Sequence, residues 1–99
     1  MVKQIVWTEN AMQDRLQIIE YWITKIGNSK YAEYLDSCFE DLALTVAKFP
    51  EIGRLYNNTE YKFMVKDSYL LFYYFDKSSV YILSIFDNRR NPSDLNRNF

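Results

Sequence analysis

YKFMVKDSYLLFYYFDKSSVYILSIFDNRRNP, residues 61–92, decides the fold. Three runs rich in Tyr, Phe, Val and Ile are separated by short polar breaks, Lys66-Asp67-Ser68 and Asp76-Lys77-Ser78-Ser79. Aromatic and β-branched side chains suit a pleated, half-buried surface, and breaks of this length suit hairpins. The stretch therefore predicts three consecutive strands of an antiparallel sheet. In the first, Tyr61, Phe63 and Val65 alternate with Lys62, Met64 and Lys66. The aromatic set is expected to meet the core and the lysine-containing set to look outward. The next two strands are apolar on both faces, with Leu70, Phe72 and Tyr74 in one row and Leu71, Tyr73 and Phe75 in the other. A sheet with helices on one side normally shows a polar outer face. One row thus calls for a cover other than a helix, and Leu70, Phe72 and Tyr74 are candidate contacts for a partner protein. The last strand empties into Asp87-Asn88-Arg89-Arg90-Asn91-Pro92, a doubly basic end where docking or chemistry is expected. Arg89 and Arg90 suit a phosphate or an acidic partner surface; the alternative is a solvated turn in which Asp87 pairs one arginine.

Upstream, Val2–Trp7 is a short apolar run, expected to join the sheet at or near an edge. Thr8 is placed to cap a helix over residues 9–26, with Glu9 in its first turn and Gly27-Asn28 as its stop. Met12, Leu16, Ile19, Ile23 and Ile26 recur at helical spacing and are expected to be its core stripe, widened by Trp22. Asn28 or Ser29 caps a second helix carrying Tyr31, Leu35, Cys38, Phe39, Leu42, Val46 and Phe49, closed by Pro50. Glu33, Asp36, Glu40 and Asp41 make its other face acidic. Two such helices joined by a short link form an antiparallel hairpin that covers one sheet face. The fold class is α+β: a helical hairpin on a four-stranded, mainly antiparallel sheet, with the first strand parallel to a neighbour because a helical crossover follows it.

Ninety-nine residues, 48% apolar and 25% charged, suit one soluble domain over residues 1–99. A net charge of −1 sets the chain apart from plainly basic nucleic-acid binders of this size. The halves differ: residues 1–49 hold seven acids and five bases, residues 50–99 six acids and seven bases. That balance favours protein contact over base stacking for the aromatic rows. Cys38 is the lone cysteine, so no internal disulfide can form and a reducing cytoplasm is the expected setting. Its place on the second helix's apolar stripe marks it as a buried thiol. With no histidine, the commonest general base and the commonest zinc ligand are both missing. No metal, cofactor, signal peptide or membrane span is expected.

The order β-α-α-β-β-β resembles the RelE/ParE superfamily, the toxin halves of type II toxin–antitoxin pairs. Three pieces carry the resemblance: Trp7 before a helix bearing Leu16, Ile19 and Tyr21-Trp22; Lys48-Phe49-Pro50 followed by Gly53-Arg54; and Tyr61-Lys62-Phe63 with Tyr69–Tyr74 leading to Ile85–Pro92. The resemblance implies a cognate antitoxin as partner. It also implies one of two targets: ribosome-bound mRNA, cut by RelE-like members, or DNA gyrase, poisoned by ParE-like members. RelE-like cleavage uses the RNA 2′-hydroxyl as nucleophile and needs a base, an acid and cations for the developing phosphorane charge. By position, Lys62 and Arg89 match RelE-like groups, with Arg54 a further candidate cation. A second strand lysine falls at Met64, a strand arginine at Leu70, and the C-terminal tyrosine near Leu95. These replacements point to a ParE-like or divergent toxin. The alternatives are a nuclease using Arg89, Lys62 and Arg54, or a decayed toxin that only binds its partner.

Overall fold

The computed structural model describes residues 2–89. The elements are β1 (Gln4–Trp7), α1 (Glu9–Ile26), α2 (Lys30–Lys48), β2 (Arg54–Leu55), β3 (Lys62–Lys66), β4 (Tyr69–Phe75) and β5 (Ser79–Asp87). The sheet runs in the order β1-β5-β4-β3-β2. β1 lies at one edge, parallel to β5; every other pairing is antiparallel. The expected α+β architecture holds, with the two-residue β2 added at the opposite edge.

Local chemistry sets the helix ends. Thr8 is extended, and its hydroxyl accepts from the Ala11 amide at 3.2 Å while donating to the Ile82 carbonyl at 2.7 Å. The cap of α1 is thus also a rivet to β5. Gly27 ends α1 at φ 87°, a conformation that glycine adopts without strain, and its N–H donates to the Ile23 carbonyl at 2.8 Å. At the start of α2, the Asn28 carboxamide accepts from the Lys30 amide at 3.0 Å.

The main core lies between the helices and the sheet: Leu35, Phe39 and Val46 from α2, Leu71 and Tyr73 from β4, Val80, Ile82 and Ile85 from β5. Phe39 is fully buried and meets Tyr69 edge-on at 5.7 Å. Truncating such a residue costs about 3–5 kcal/mol. Small residues, Ala32, Ala43 and Ala47, let α2 approach closely. Cys38 and Leu42 are half-buried, and Phe49, expected on the core stripe, is exposed.

The face of α1 differs from the expected one. Ala11, Ile18 and Trp22 pack on the core, whereas Met12, Leu16, Ile23 and Ile26 are 49, 57, 39 and 46% exposed. Both sets recur at helical spacing. The inward register is favoured because it also brings Asn10, Asp14 and Arg15 onto the sheet side, where each finds a partner. Between Phe72↔Ser84 and Tyr73↔Ile82 the pairing slips by one residue, leaving a bulge at Leu83. Asp14 Oδ2 accepts from Ser84 Oγ at 2.8 Å and from the Ile85 amide at 3.0 Å, and Asn10 donates to the Leu83 carbonyl at 2.9 Å. The bulge frees polar groups from the ladder, and α1 satisfies them. Arg15 sits 4.5 Å over the Trp7 ring and bridges to Asp36 at 2.7 Å and Glu40 at 2.8 Å. Burial opposes its charge, but these hydrogen bonds and charges outweigh burial and raise its pKa.

The faces of β3 are also the reverse of expectation. Register pairs Met64 with Leu71 and Phe63 with Phe72, so Lys62, Met64 and Lys66 share the helix side. Tyr61, Phe63 and Val65 take the far side. There Phe72 and Phe86 are buried in a second, smaller cluster with Tyr56, Phe63, Leu70 and Leu83. The far face is thus a small core of its own, which is why its residues are as apolar as those facing the helices.

Candidate functional site

The link from α2 to β3 is pinned by Tyr73. Its hydroxyl accepts from the Gly53 amide at 2.9 Å and donates to the Pro50 carbonyl at 2.7 Å. A Cβ at Gly53 would lie 2.5 Å from that hydroxyl and 2.9 Å from the Phe63 carbonyl oxygen. Glycine is required here by close approach rather than by backbone angle. Lys62 reaches into the same corner, its ammonium 3.3 Å from the Gly53 carbonyl. Arg54 pairs with Phe63 and Leu55 with Lys62. Paired residues share a face, so Arg54 lies on the far side of the sheet while Lys62 lies on the helix side.

Arg89 is elsewhere. Its Nε and Nη2 donate to the two Asp87 carboxylate oxygens at 2.9 and 2.7 Å, and its own amide donates to Asp87 Oδ1 at 2.9 Å. The guanidinium also lies 5.7 Å from the Trp22 ring centroid. The bidentate bond to Asp87 raises the Arg89 pKa, so the charge is permanent yet largely matched by its neighbour. Lys62 pairs with Tyr73, and Asp87 pairs with Tyr69, on opposite sides of β4. At roughly 3.3 Å per residue and about 4.8 Å per strand, the Lys62 and Arg89 backbones are on the order of 16 Å apart or more. The structure therefore does not bring Arg89, Lys62 and Arg54 together.

Beside Arg89 a cleft of about 420 Å³ is lined by Asp14, Gln17, Tyr21, Tyr69 and Asp87. Asp14 is engaged by the bulge and Asp87 by Arg89. Burial pushes the Tyr69 phenol up, opposed by the Trp22 Nε1 proton donated to its oxygen at 2.7 Å. A phenol held neutral is no general base near neutrality. The sequence reading missed this aromatic–acid surround of Arg89; Tyr21-Trp22 was noted, but not its meeting with Tyr69. No group of three or more His, Cys, Asp or Glu side chains among the described residues could hold a metal ion.

The candidate partner contacts separate. Phe72 is fully buried within the far-face cluster, edge-on to Tyr56 at 5.2 Å, and offers no surface. Leu70 is half-buried beside it. Tyr74 is also half-buried, in an aromatic row 6.5 Å from Tyr61, just ahead of β3, and 6.2 Å from Tyr81 on β5. Arg90 lies outside the described residues, as does Leu95. A second cleft, of about 700 Å³, runs between α1 and α2. It is lined by the exposed apolar face of α1, which periodicity alone had placed in the core.

Comparison with known proteins agrees with this architecture. No curated protein matches the sequence. A chain of the structure described as the chromosomal ParDE toxin–antitoxin system from P. aeruginosa is similar in fold, with a TM-score of 0.62 and 16% identity. The match covers 87% of this chain and 96% of that one. No helix among the described residues is long and apolar enough to cross a membrane. The family described as the ParE toxin of type II toxin–antitoxin systems, parDE, matches residues 5–92. The chain therefore belongs to the ParE toxin family.

Proposed function

We propose that this chain is a growth-inhibiting toxin, neutralised by a cognate antitoxin, that acts in the cytoplasm by binding DNA gyrase and not by cutting RNA. The observation that carries the second half is the scattering of cations. Cleavage through a 2′-hydroxyl needs a base, an acid and positive charge around one phosphate. Here Arg54 and Lys62 face opposite sides of the sheet, and Arg89 is clamped by Asp87 at the other end. The Tyr69 phenol is pushed up by burial. With no histidine in the chain, a site built for binding fits these residues better than one built for proton transfer. Membership of the ParE family supports the same reading.

The test uses purified components. The protein is added to gyrase with plasmid DNA, and separately to ribosomes carrying message. Loss of supercoiling, or gyrase-dependent breaks, with intact message is the expected result. Codon-positioned cleavage with gyrase unaffected would overturn it.

A further inference from the structure

The far face of the sheet carries three neighbouring tyrosines at the end away from Arg89. Val80 and Ile82 face the main core, so Tyr81 of β5 projects from the other side. Its ring lies beside that of Tyr74 of β4, with centroids 6.2 Å apart and planes 28° from parallel. Tyr61, just ahead of β3, stands across Tyr74 at 6.5 Å and 77°. Together with Glu60 and Leu83 these rings line a pocket of about 370 Å³. The three rings and Leu83 are half-buried, and Glu60 is exposed. The Glu60 side chain forms no ion pair or hydrogen bond with the described residues. A second carboxylate stands at the rim: Asp76 Oδ2 accepts from the Tyr81 hydroxyl at 3.3 Å. Amide donors from Ser79 and Ser78 hold Asp76 below the usual carboxylate range, so it stays anionic. A phenol that donates to an anion has a more electron-rich ring, which suits it to face a cation.

We propose that this pocket binds the side chain of an arginine displayed by a partner protein, with its guanidinium on the Tyr74 and Tyr61 rings, its fork on Glu60 and its methylene stem on Leu83. Each part of that side chain has a counterpart here. Aromatic rings set at a wide angle attract a cation through their quadrupoles. A carboxylate beside them accepts a guanidinium through two parallel hydrogen bonds, which an ammonium or a quaternary ammonium cannot match. The apolar wall takes the stem. Tyrosine rings also stack on bases, but Glu60 and Asp76 repel the phosphates that come with them. A second copy of this chain has less to offer: its Arg15 and Arg89 are held by their own acids, which leaves Arg54 among its described arginines. The proposal does not depend on the toxin reading, and it gives Tyr74 a defined chemistry.

N-acetyl-arginine methylamide, a stand-in for an arginine within a protein, is titrated into the intact chain while the tyrosine ring resonances are followed by NMR. Saturable shifts at Tyr61, Tyr74 and Tyr81 are expected. The matching lysine compound should bind about threefold more weakly and the uncharged citrulline compound about tenfold. Tyr74→Leu keeps an apolar side chain in the row and should weaken arginine binding about three- to fivefold. Glu60→Gln, at an exposed position, should weaken it about threefold and remove the preference over lysine. Thermal melts check that both variants keep the fold. Equal binding of the arginine and citrulline compounds, or binding indifferent to both substitutions, would overturn the proposal. Tighter binding of tetramethylammonium would overturn it in favour of a methylammonium cage, and tighter binding of a thymidine trinucleotide in favour of nucleic acid. Free arginine carries a carboxylate that meets the same acids and should bind more weakly than the blocked compound; tighter binding would make the ligand a small molecule and refute the protein source. A dimer in sedimentation that Arg54→Ala and Tyr74→Leu each dissolve would overturn it as well, since the pocket would then belong to a second copy.

Discussion

Replacing Asp14 with alanine tests how α1 is locked to the sheet. Its Oδ2 accepts from Ser84 Oγ at 2.8 Å and from the Ile85 amide at 3.0 Å. Ser84 is fully buried and Ile85 nearly so. One donor is a side-chain hydroxyl and the other a backbone amide beside the bulge, and both are given to Asp14, so alanine leaves both without this acceptor. Each orphaned buried donor costs about 1–3 kcal/mol. Asp14 borders the cleft beside Arg89, and water entering there relieves part of the loss. The expected cost is therefore near the low end, about 2–3 kcal/mol, or roughly 10–20 °C in Tm for a domain of this size. Asp14→Asn keeps an acceptor oxygen and should lose only about 1 kcal/mol. Ser84→Ala removes one donor with its need, and the Asp14→Ala/Ser84→Ala pair should cost less than the sum of the singles. Urea midpoints at unchanged slope measure all four. An Asp14→Ala loss under about 0.5 kcal/mol would refute the reasoning, because that is the scatter of ordinary surface substitutions.

Gly53→Ala should destabilise by about 2–4 kcal/mol, because the new Cβ meets the Tyr73 hydroxyl and the Phe63 carbonyl at once; adding Tyr73→Phe should recover part of the loss in thermal melts. Arg15→Met keeps an apolar stem over Trp7 but strips the half-exposed Asp36 and Glu40 of their partner. A loss of about 1–2 kcal/mol, shrinking in high salt, is expected from denaturation in low and high sodium chloride. Burial pushes the Tyr73 phenol up, partly opposed by its bond to the Gly53 amide, and also pushes up Tyr69. A folded pKa raised above the unfolded value of about 10 means stability is intact below that value and falls as pH rises through the folded one. Urea midpoints at about pH 8 and about pH 11 should show the fall. In Tyr73→Phe the neutral-pH stability should be lower but the alkaline decline smaller.

Much of the fold was legible because local signals agreed. Thr8 and Gly27 bracket α1 as their chemistry demands, and a strand followed by two helices leaves β1 to pair in parallel with β5. The two reversals have one cause. α1 offers apolar residues at two helical registers, and β3 offers an apolar row with a competing row that contains Met64. Alternation and periodicity identify stripes; they do not say which stripe meets the core. In α1 the decision lay with Asn10, Asp14 and Arg15, whose partners come from a bulge and an acidic helix face far along the chain. In β3 it lay with a second cluster around Phe72 and Phe86, which made the far face as apolar as the near one.

The candidate site was legible in its types and not in its geometry. Asp87 two residues before Arg89 already allowed a carboxylate clamp as the alternative to a phosphate contact, and the structure forms that clamp. The separation of Arg54 and Lys62 depends on the β2–β3 register, and β2 is too short at two residues to announce itself. The exposed face of α1 was visible as a pattern but read as core.

Expression without an antitoxin tests the central claim most directly, with plasmid supercoiling and the 5′ ends of ribosome-bound message read in one bacterial culture. The account predicts growth arrest with altered supercoiling or gyrase-dependent DNA breaks and no new message ends. Growth arrest with new codon-positioned message ends, lost on Arg89→Ala, would contradict it.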